Sequence, residues 1–274
     1  MTGQDAKSII RQRYDLFAQR DRAEKGLFKT ENGAGLIGQR LLSEDELSKI
    51  PAVALCYFMG ATTPTRLVEI KRGDTVLDLG CGVGVDAVLA AHKAGPTGKV
   101  VGIDLSGELI ARGREVVILT GLKNIELLAG DMESLPVPSN SVDVVISNGA
   151  INLVPDKWTV FREAFRVLKK GGRLALCDII LQEKIEAALS RRFRENLSGC
   201  LAFAIDETEY LKIISDVGFS QIEVISRRSL RRHELDVMSA CPDPRITPPP
   251  CQKDLHRMEG LVISIKLTAV KNVH

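Results

Sequence analysis

Between residues 74 and 181 the chain repeats one pattern, a short and almost continuous apolar run followed by a longer stretch with helical spacing. The runs are 75–79, 99–103, 125–128, 142–146 and 174–179. The stretches 83–95, 106–120 and 157–170 are rich in Ala, Leu, Val, Glu, Arg and Lys. A strand that is apolar on both faces must be covered on both, and helices between strands supply that cover. The pattern therefore predicts an α/β fold, a parallel sheet between layers of helices. Right-handed crossovers make it doubly wound.

The flanks read differently. Residues 1–72 look like helical segments with loops: 6–22, a glycine-rich stretch at 33–38, and 43–49. The sequence SEDE at 43–46 fits a capping box, with Ser43 and Glu46 each satisfying the other's backbone N–H. After the core, 183–198 reads as a charged helix and 206–217 as another, ended by Gly218. The runs 222–225 and 261–269 are strand candidates for antiparallel pairing at the sheet edge. The segment CPDPRITPPPC (241–251) holds five prolines and excludes regular structure, leaving a rigid loop or a mobile flap. Three parts result: 1–72, a helical segment contributing to the pocket; 73–182, the ligand-binding core; and 183–274, which completes the sheet and forms a cap on the substrate side.

Composition narrows the partners. With 37 Lys+Arg against 35 Asp+Glu the net charge is +2, too small an excess to mark a nucleic-acid or anionic-membrane surface. The run at 227–233 holds four arginines and one histidine and reads as a solvated edge. No apolar run approaches the roughly 18 to 20 residues of a membrane span. The polar N-terminus lacks the features of a signal peptide, so a cytoplasmic protein is expected. Six cysteines, with no CxxC pair, should be mostly free thiols, and no metal site is expected.

The chemistry is concentrated in VLDLGCGVG (76–84). A buried strand delivers the chain to a turn where Gly80, Gly82 and Gly84 permit positive φ and close backbone approach. The next helix starts near Val85, so a ligand can lie across its N-terminal amides. Asp104 ends the following strand, placed to accept from ribose hydroxyls. Asp131 follows the third, in reach of an adenine amine, with Met132 positioned to pack on the base. Asp78 adds negative charge beside the turn, which suits a cationic ligand and repels a pyrophosphate. A dinucleotide site is the alternative, because GVGVDA (82–87) fits G-x-G-x-x-A. That reading leaves Asp131 idle, gives KKGGRLALCD (169–178) no role, and sets Asp78 against the diphosphate.

VLDLGCGVG, GIDLS, GDMESLP, SVDVVISN and FREAFRVLKKGGRLAL occur in an order that resembles the class I S-adenosylmethionine-dependent methyltransferases, a Rossmann-like fold. The resemblance implies that Asp78, Gly80, Cys81, Gly82 and Gly84 hold the methionyl part, Asp104 and Leu105 the ribose, and Asp131 and Met132 the adenine. Asn148 would close the pocket, and Tyr14 would lie against the cofactor. Within the superfamily the chain is most similar to the arsenite methyltransferases, through AAHKAGPTGKVVGIDLS, ISNGAINLVPDKW and NLSGCLAFAIDETEYLKIISDVGF. Members of that family carry a cysteine directly after the Ser-Asn of the fourth strand and a second one later. Here the first position is Gly149 and the second is Cys200, the substrate-side candidate. Trivalent arsenic is held by soft thiolates, and Cys56, Cys241 and Cys251 are the candidates to join Cys200. The expected function is methyl transfer to a small-molecule acceptor, an organic metabolite given Gly149. Methylation of arsenic through Cys200 and a non-catalytic cofactor-binding module are the alternatives.

Overall fold

In the computed structural model, which describes residues 3–19, 42–58, 60, 62–195, 201–239 and 252–272, the apolar runs become strands of one sheet. They are β1 (Thr75–Leu79), β2 (Lys99–Asp104), β3 (Ile125–Ala129), β4 (Val142–Asn148) and β5 (Leu168–Leu181), all parallel. Two later strands, β6 (Phe219–Ser229) and β7 (Val262–Lys271), complete the sheet. The order is β3-β2-β1-β4-β5-β7-β6, with β7 antiparallel to both neighbours, as the edge-strand reading expected. Chain direction across the sheet reverses between β1 and β4, and a crevice opens there beyond the strands' carboxyl ends.

Upstream of the sheet lie α1 (Gly3–Gln19), α2 (Glu44–Lys49) and α3 (Ala52–Leu55). The capping box at α2 is formed: Ser43 Oγ accepts from Glu46 N–H and Glu46 Oε2 accepts from Ser43 N–H. The first crossover helix, α4 (Val85–Ala94), turns Ala87, Ala90, Ala91 and Ala94 to the interior. Such small side chains let its backbone approach the sheet closely. The others are α5 (Gly107–Thr120), capped by Ser106, and α6 (Lys157–Val167), capped by Asp156. Phe161 of α6 meets Tyr210 of α8 (Glu207–Val217) edge to face, centroids 5.5 Å apart, in the core on that side of the sheet.

Three boundaries depart from the sequence reading. The helix expected over 157–170 ends at Val167, and the strand expected from 174 starts at Leu168. Leu168 pairs with Val142 and Arg173 with Val144, so 169–172 loops out as a bulge, with Gly171 at φ +73°. The helix expected over 183–198 starts only at Ala187, as α7 (Ala187–Glu195), and 196–198 lie outside the described residues. Two short helices were not anticipated, α9 (Arg232–Ser239) and α10 (Gln252–Arg257), because each offers too few apolar positions to show a period. With α7 they enclose a separate apolar cluster of Leu189, Phe193, Leu235, Leu255 and Met258 against Ile179 and Leu181. Arg192 pins it through two bonds to Asp254, at 2.9 and 2.8 Å.

The arginine run is largely neutralised in place. Arg227 pairs with Glu207, Arg228 with Glu234 and Arg232 with Asp236. No helix among the described residues is long and apolar enough to cross a membrane. The glycine-rich stretch 33–38, residues 20–22 and the proline-rich 241–250 with Cys251 lie outside the described residues.

Candidate functional site

The turn after β1 carries the strain the sequence reserved for glycine. Gly80, Gly82 and Gly84 have φ of +71°, +54° and +86°. They are not equivalent. A Cβ on Gly80 would overlap the Ala150 methyl, and Met132 Cε stands 3.5 Å from it, so β1, the loop after β3 and the turn after β4 meet here. A Cβ on Gly82 would meet nothing within 4 Å. The chain thus presents bare backbone to open space at Gly82 and close packing at Gly80.

Carboxylates surround this turn. Asp104, the last residue of β2, accepts from Gly82 N–H at 2.8 Å and from Ser106 N–H at 2.9 Å. Burial pushes its carboxyl up, the two amides pull it back, and the charge of Asp15 adds to the rise. Asp78 is 2% exposed, and its Oδ2 has no hydrogen-bond partner among the described residues. Burial drives its carboxyl well above the usual range, with the charges of Asp86 and Asp104 adding to the effect. The Cys81 thiol is raised likewise, first by burial and then by Asp78 and Asp104, which makes it unreactive. Leu105 follows Asp104 and is half-buried.

On the far side of β2, Asp131 is bound by a residue the sequence reading passed over. Lys7 of α1 reaches Asp131 at 2.6 Å and Glu133 at 2.7 Å. Burial opposes the Lys7 charge, but the two carboxylates more than offset it and hold its pKa above that of ordinary lysine. Along the same helix Asp15 accepts from Ser106 Oγ at 2.5 Å. These contacts lay α1 across the loops after β2 and β3. Tyr14, on the same helix, lines a small cavity with Ile9, Ile10, Leu153, Ala202 and Phe203.

The turn after β4 forms the opposite wall. Asn148 ends β4, and its amide donates to Thr62 O and to Asp86 Oδ2, the latter at 2.8 Å. A side chain at Gly60 would overlap that amide, so glycine there admits the close approach of its own backbone to Asn148. Gly149 follows at φ +66°, with nothing within 4 Å of a Cβ. Asp178 holds the next turn by accepting from Asn152 N–H at 3.3 Å and Tyr210 Oη–H at 2.8 Å. Beneath it Lys157 Nζ donates to Val154 O (2.9 Å), Asn152 O (3.4 Å) and Phe203 O (2.6 Å).

The structure therefore gathers Asp78, Gly80, Cys81, Gly82, Gly84, Asp104 and Met132 around one turn, and sets Asp131 against α1, the helix that carries Tyr14. Cys200, Cys241 and Cys251 lie outside the described residues, while Cys56 is a half-buried free thiol packed against the apolar cluster of Phe17, Tyr57, Val83 and Leu109. Asp86, Lys7 and Lys157 were missed. Asp86 sits inside GVGVDA, where the glycines drew the attention; a lysine in a helix reads as a solvated one.

A protein-family model described as a methyltransferase domain matches residues 70–218, more than half of the chain. The chain belongs to this methyltransferase family. Its fold is that of the class I, Rossmann-like methyltransferases. Arsenite methyltransferase of Halobacterium salinarum is 37% identical over 166 residues, which is 61% of this chain and 42% of that protein. Demethylmenaquinone methyltransferase of Listeria monocytogenes is 41% identical over 113 residues, 41% of this chain and 48% of that protein. The chain spans about half the length of the curated relatives it matches. Among solved structures, CrArsM, an arsenic (III) S-adenosylmethionine methyltransferase from Chlamydomonas reinhardtii, superposes with a TM-score of 0.66 at 26% identity, covering 83% of this chain and 72% of that one.

Proposed function

We propose that the chain is an S-adenosylmethionine-dependent methyltransferase whose acceptor is a small organic molecule. The observation that carries this reading is the buried, unpartnered Oδ2 of Asp78 beside the open backbone of Gly82. An acidic cradle of this kind fits a sulfonium donor and opposes a diphosphate, which sets aside the dinucleotide alternative. Asp104 is poised for the ribose hydroxyls and Asp131 with Met132 for the adenine. Bound there, S-adenosylmethionine supplies an already activated methyl group, so the protein's own work is to hold and align.

Gly149, where the arsenite methyltransferases carry a cysteine, supports an organic acceptor. Gly149 leaves open the place from which a side chain would project. Arsenite is the second reading, favoured by the likeness to the Halobacterium protein and to CrArsM. It relies on Cys200 with a further thiol from Cys56, Cys241 or Cys251.

Calorimetry with S-adenosylmethionine and S-adenosylhomocysteine tests the donor, and product formation across organic acceptors and arsenite tests the acceptor. Affinity for neither compound, or a preference for a nicotinamide dinucleotide, overturns the proposal. Donor binding without turnover on any acceptor leaves a cofactor-binding module. Asp104→Ala should weaken donor binding by about 1.5–3 kcal/mol, the scale of a hydrogen bond to a charged group. Cys200→Ser should keep donor affinity and organic-acceptor turnover. A selective loss of arsenite methylation in that variant would establish the second reading instead.

A further inference from the structure

Two buried carboxylates bracket the glycine turn, and the mechanism above uses only one. Asp78 precedes Gly80 by two positions and Asp86 follows Gly84 by two, on the first turn of α4. Both are sealed from solvent, at 2% and 5% exposure. Each also has one oxygen without a hydrogen-bond partner, Oδ2 of Asp78 and Oδ1 of Asp86. The other oxygen of Asp86 accepts from the Asn148 amide at 2.8 Å, and Thr63 also bonds this carboxyl. Among the described residues no lysine or arginine forms an ion pair with either. A carboxylate in such a place gains by keeping a proton until a cation arrives.

We propose that Asp78 and Asp86 act as one buried acidic pair that retains a proton while the donor site is empty and releases it when the cationic donor binds. Asp86 is thereby a specificity-determining residue, favouring the sulfonium donor over its neutral-sulfur product. This inference rests on the S-adenosylmethionine reading above. The balance is simple. On binding, one carboxyl O–H breaks, its proton goes to solvent, and the carboxylate left behind faces the ligand's positive charge. Once the methyl has left, the sulfur is a neutral thioether with one positive charge fewer, and the pair takes a proton back. Reprotonation weakens the hold on the product.

The surroundings reinforce this behaviour. Asp78 faces Asp86 from α4 and Asp104 from β2, with the Cys81 thiol beside them. Asp86 feels Glu46 of α2, itself paired with Arg66, and in turn raises the Cys177 thiol on β5. Burial pushes Asp86 up to about 6, against the hydrogen bonds from Thr63 and Asn148. Asp78 is pushed up by burial and then by Asp86 and Asp104. Both shifts are upward, so the empty site holds its proton below neutrality and loses it as pH rises.

The test is proton counting by calorimetry on the full chain, titrating S-adenosylmethionine and S-adenosylhomocysteine at pH 6 in three buffers of different ionisation enthalpy. We expect the methyl donor to release between about half and one proton, and the product clearly less. Donor affinity should rise about tenfold from pH 5 to pH 7. Asp86→Asn retains an oxygen to accept from Asn148, and should flatten that rise while lowering the donor-over-product preference roughly three- to tenfold. Donor binding with no proton release, or with the same count as the product, overturns the inference and leaves the proposed function intact. Absence of donor binding at every pH overturns both.

Discussion

Replacing Gly82 by valine is expected to abolish binding of S-adenosylmethionine while leaving a folded protein. Gly82 has φ +54°, and no atom lies within 4 Å of a Cβ built there, so the new side chain enters the space expected for the donor rather than the core. A β-branched residue in the left-handed region costs about 1–3 kcal/mol of stability. For a chain of this size that is a melting-temperature loss on the order of 2–4 °C per kcal/mol. Binding should suffer more, by about 4 kcal/mol or upward, or roughly a thousandfold, because the bulk displaces the ligand. Gly80→Ala is the control. Its methyl would run into Ala150, so that change should fall on thermal stability first. Circular dichroism melting and calorimetric titration of both variants separate the two positions. A Gly82→Val protein that still binds the donor within tenfold of wild type would remove the glycine turn from the site.

The contrast between those two glycines shows where sequence ends and packing begins. That strands at 75–79 and 99–103 are parallel and doubly covered follows from their unbroken apolar runs. The glycine turn and its acidic neighbours follow from the need for positive φ and for charge at strand ends. Which glycine is open and which faces Ala150 depends on the turn after β4, about seventy residues later, and no local pattern encodes it. The same holds for Lys7, whose partners Asp131 and Glu133 belong to a distant loop. Residues 232–239 and 252–257 escaped notice because six- to eight-residue helices carry too few turns for a period to emerge. The helix reading ran on through Lys169 and Lys170, because the pairing of Leu168 with Val142 ahead of the bulge has no local signal.

Lys157→Met addresses the junction between the turn after β4 and the 201–204 segment and should lower stability by about 3 kcal/mol at pH 7. Lys157 is 3% exposed, and its ammonium is held by the carbonyls of Asn152, Val154 and Phe203, joining the turn after β4 to the 201–204 segment. Two forces oppose one another. Burial pulls the lysine pKa down to about 8, against the attraction of Asp178 and Glu209, so the charge itself is penalised in the fold. Methionine escapes that penalty but leaves carbonyls from two segments without their common donor, and the lost bonds outweigh the relief. The pH dependence has a definite sign. Because the folded pKa lies below the 10.5 of free lysine, the unfolded chain binds more protons between pH 8 and 10.5, and wild-type stability rises through that window relative to the variant. Denaturant unfolding at pH 7 and pH 9.5 should therefore show a wider gap at the higher pH, opposite to the behaviour of an ordinary lysine ion pair. Affinity for S-adenosylmethionine, proposed to bind at the β1 and β2 side of the crevice, should change little. A variant as stable as wild type at both pH values would mean that the carbonyls find other donors and that Lys157 does not tie the two segments together.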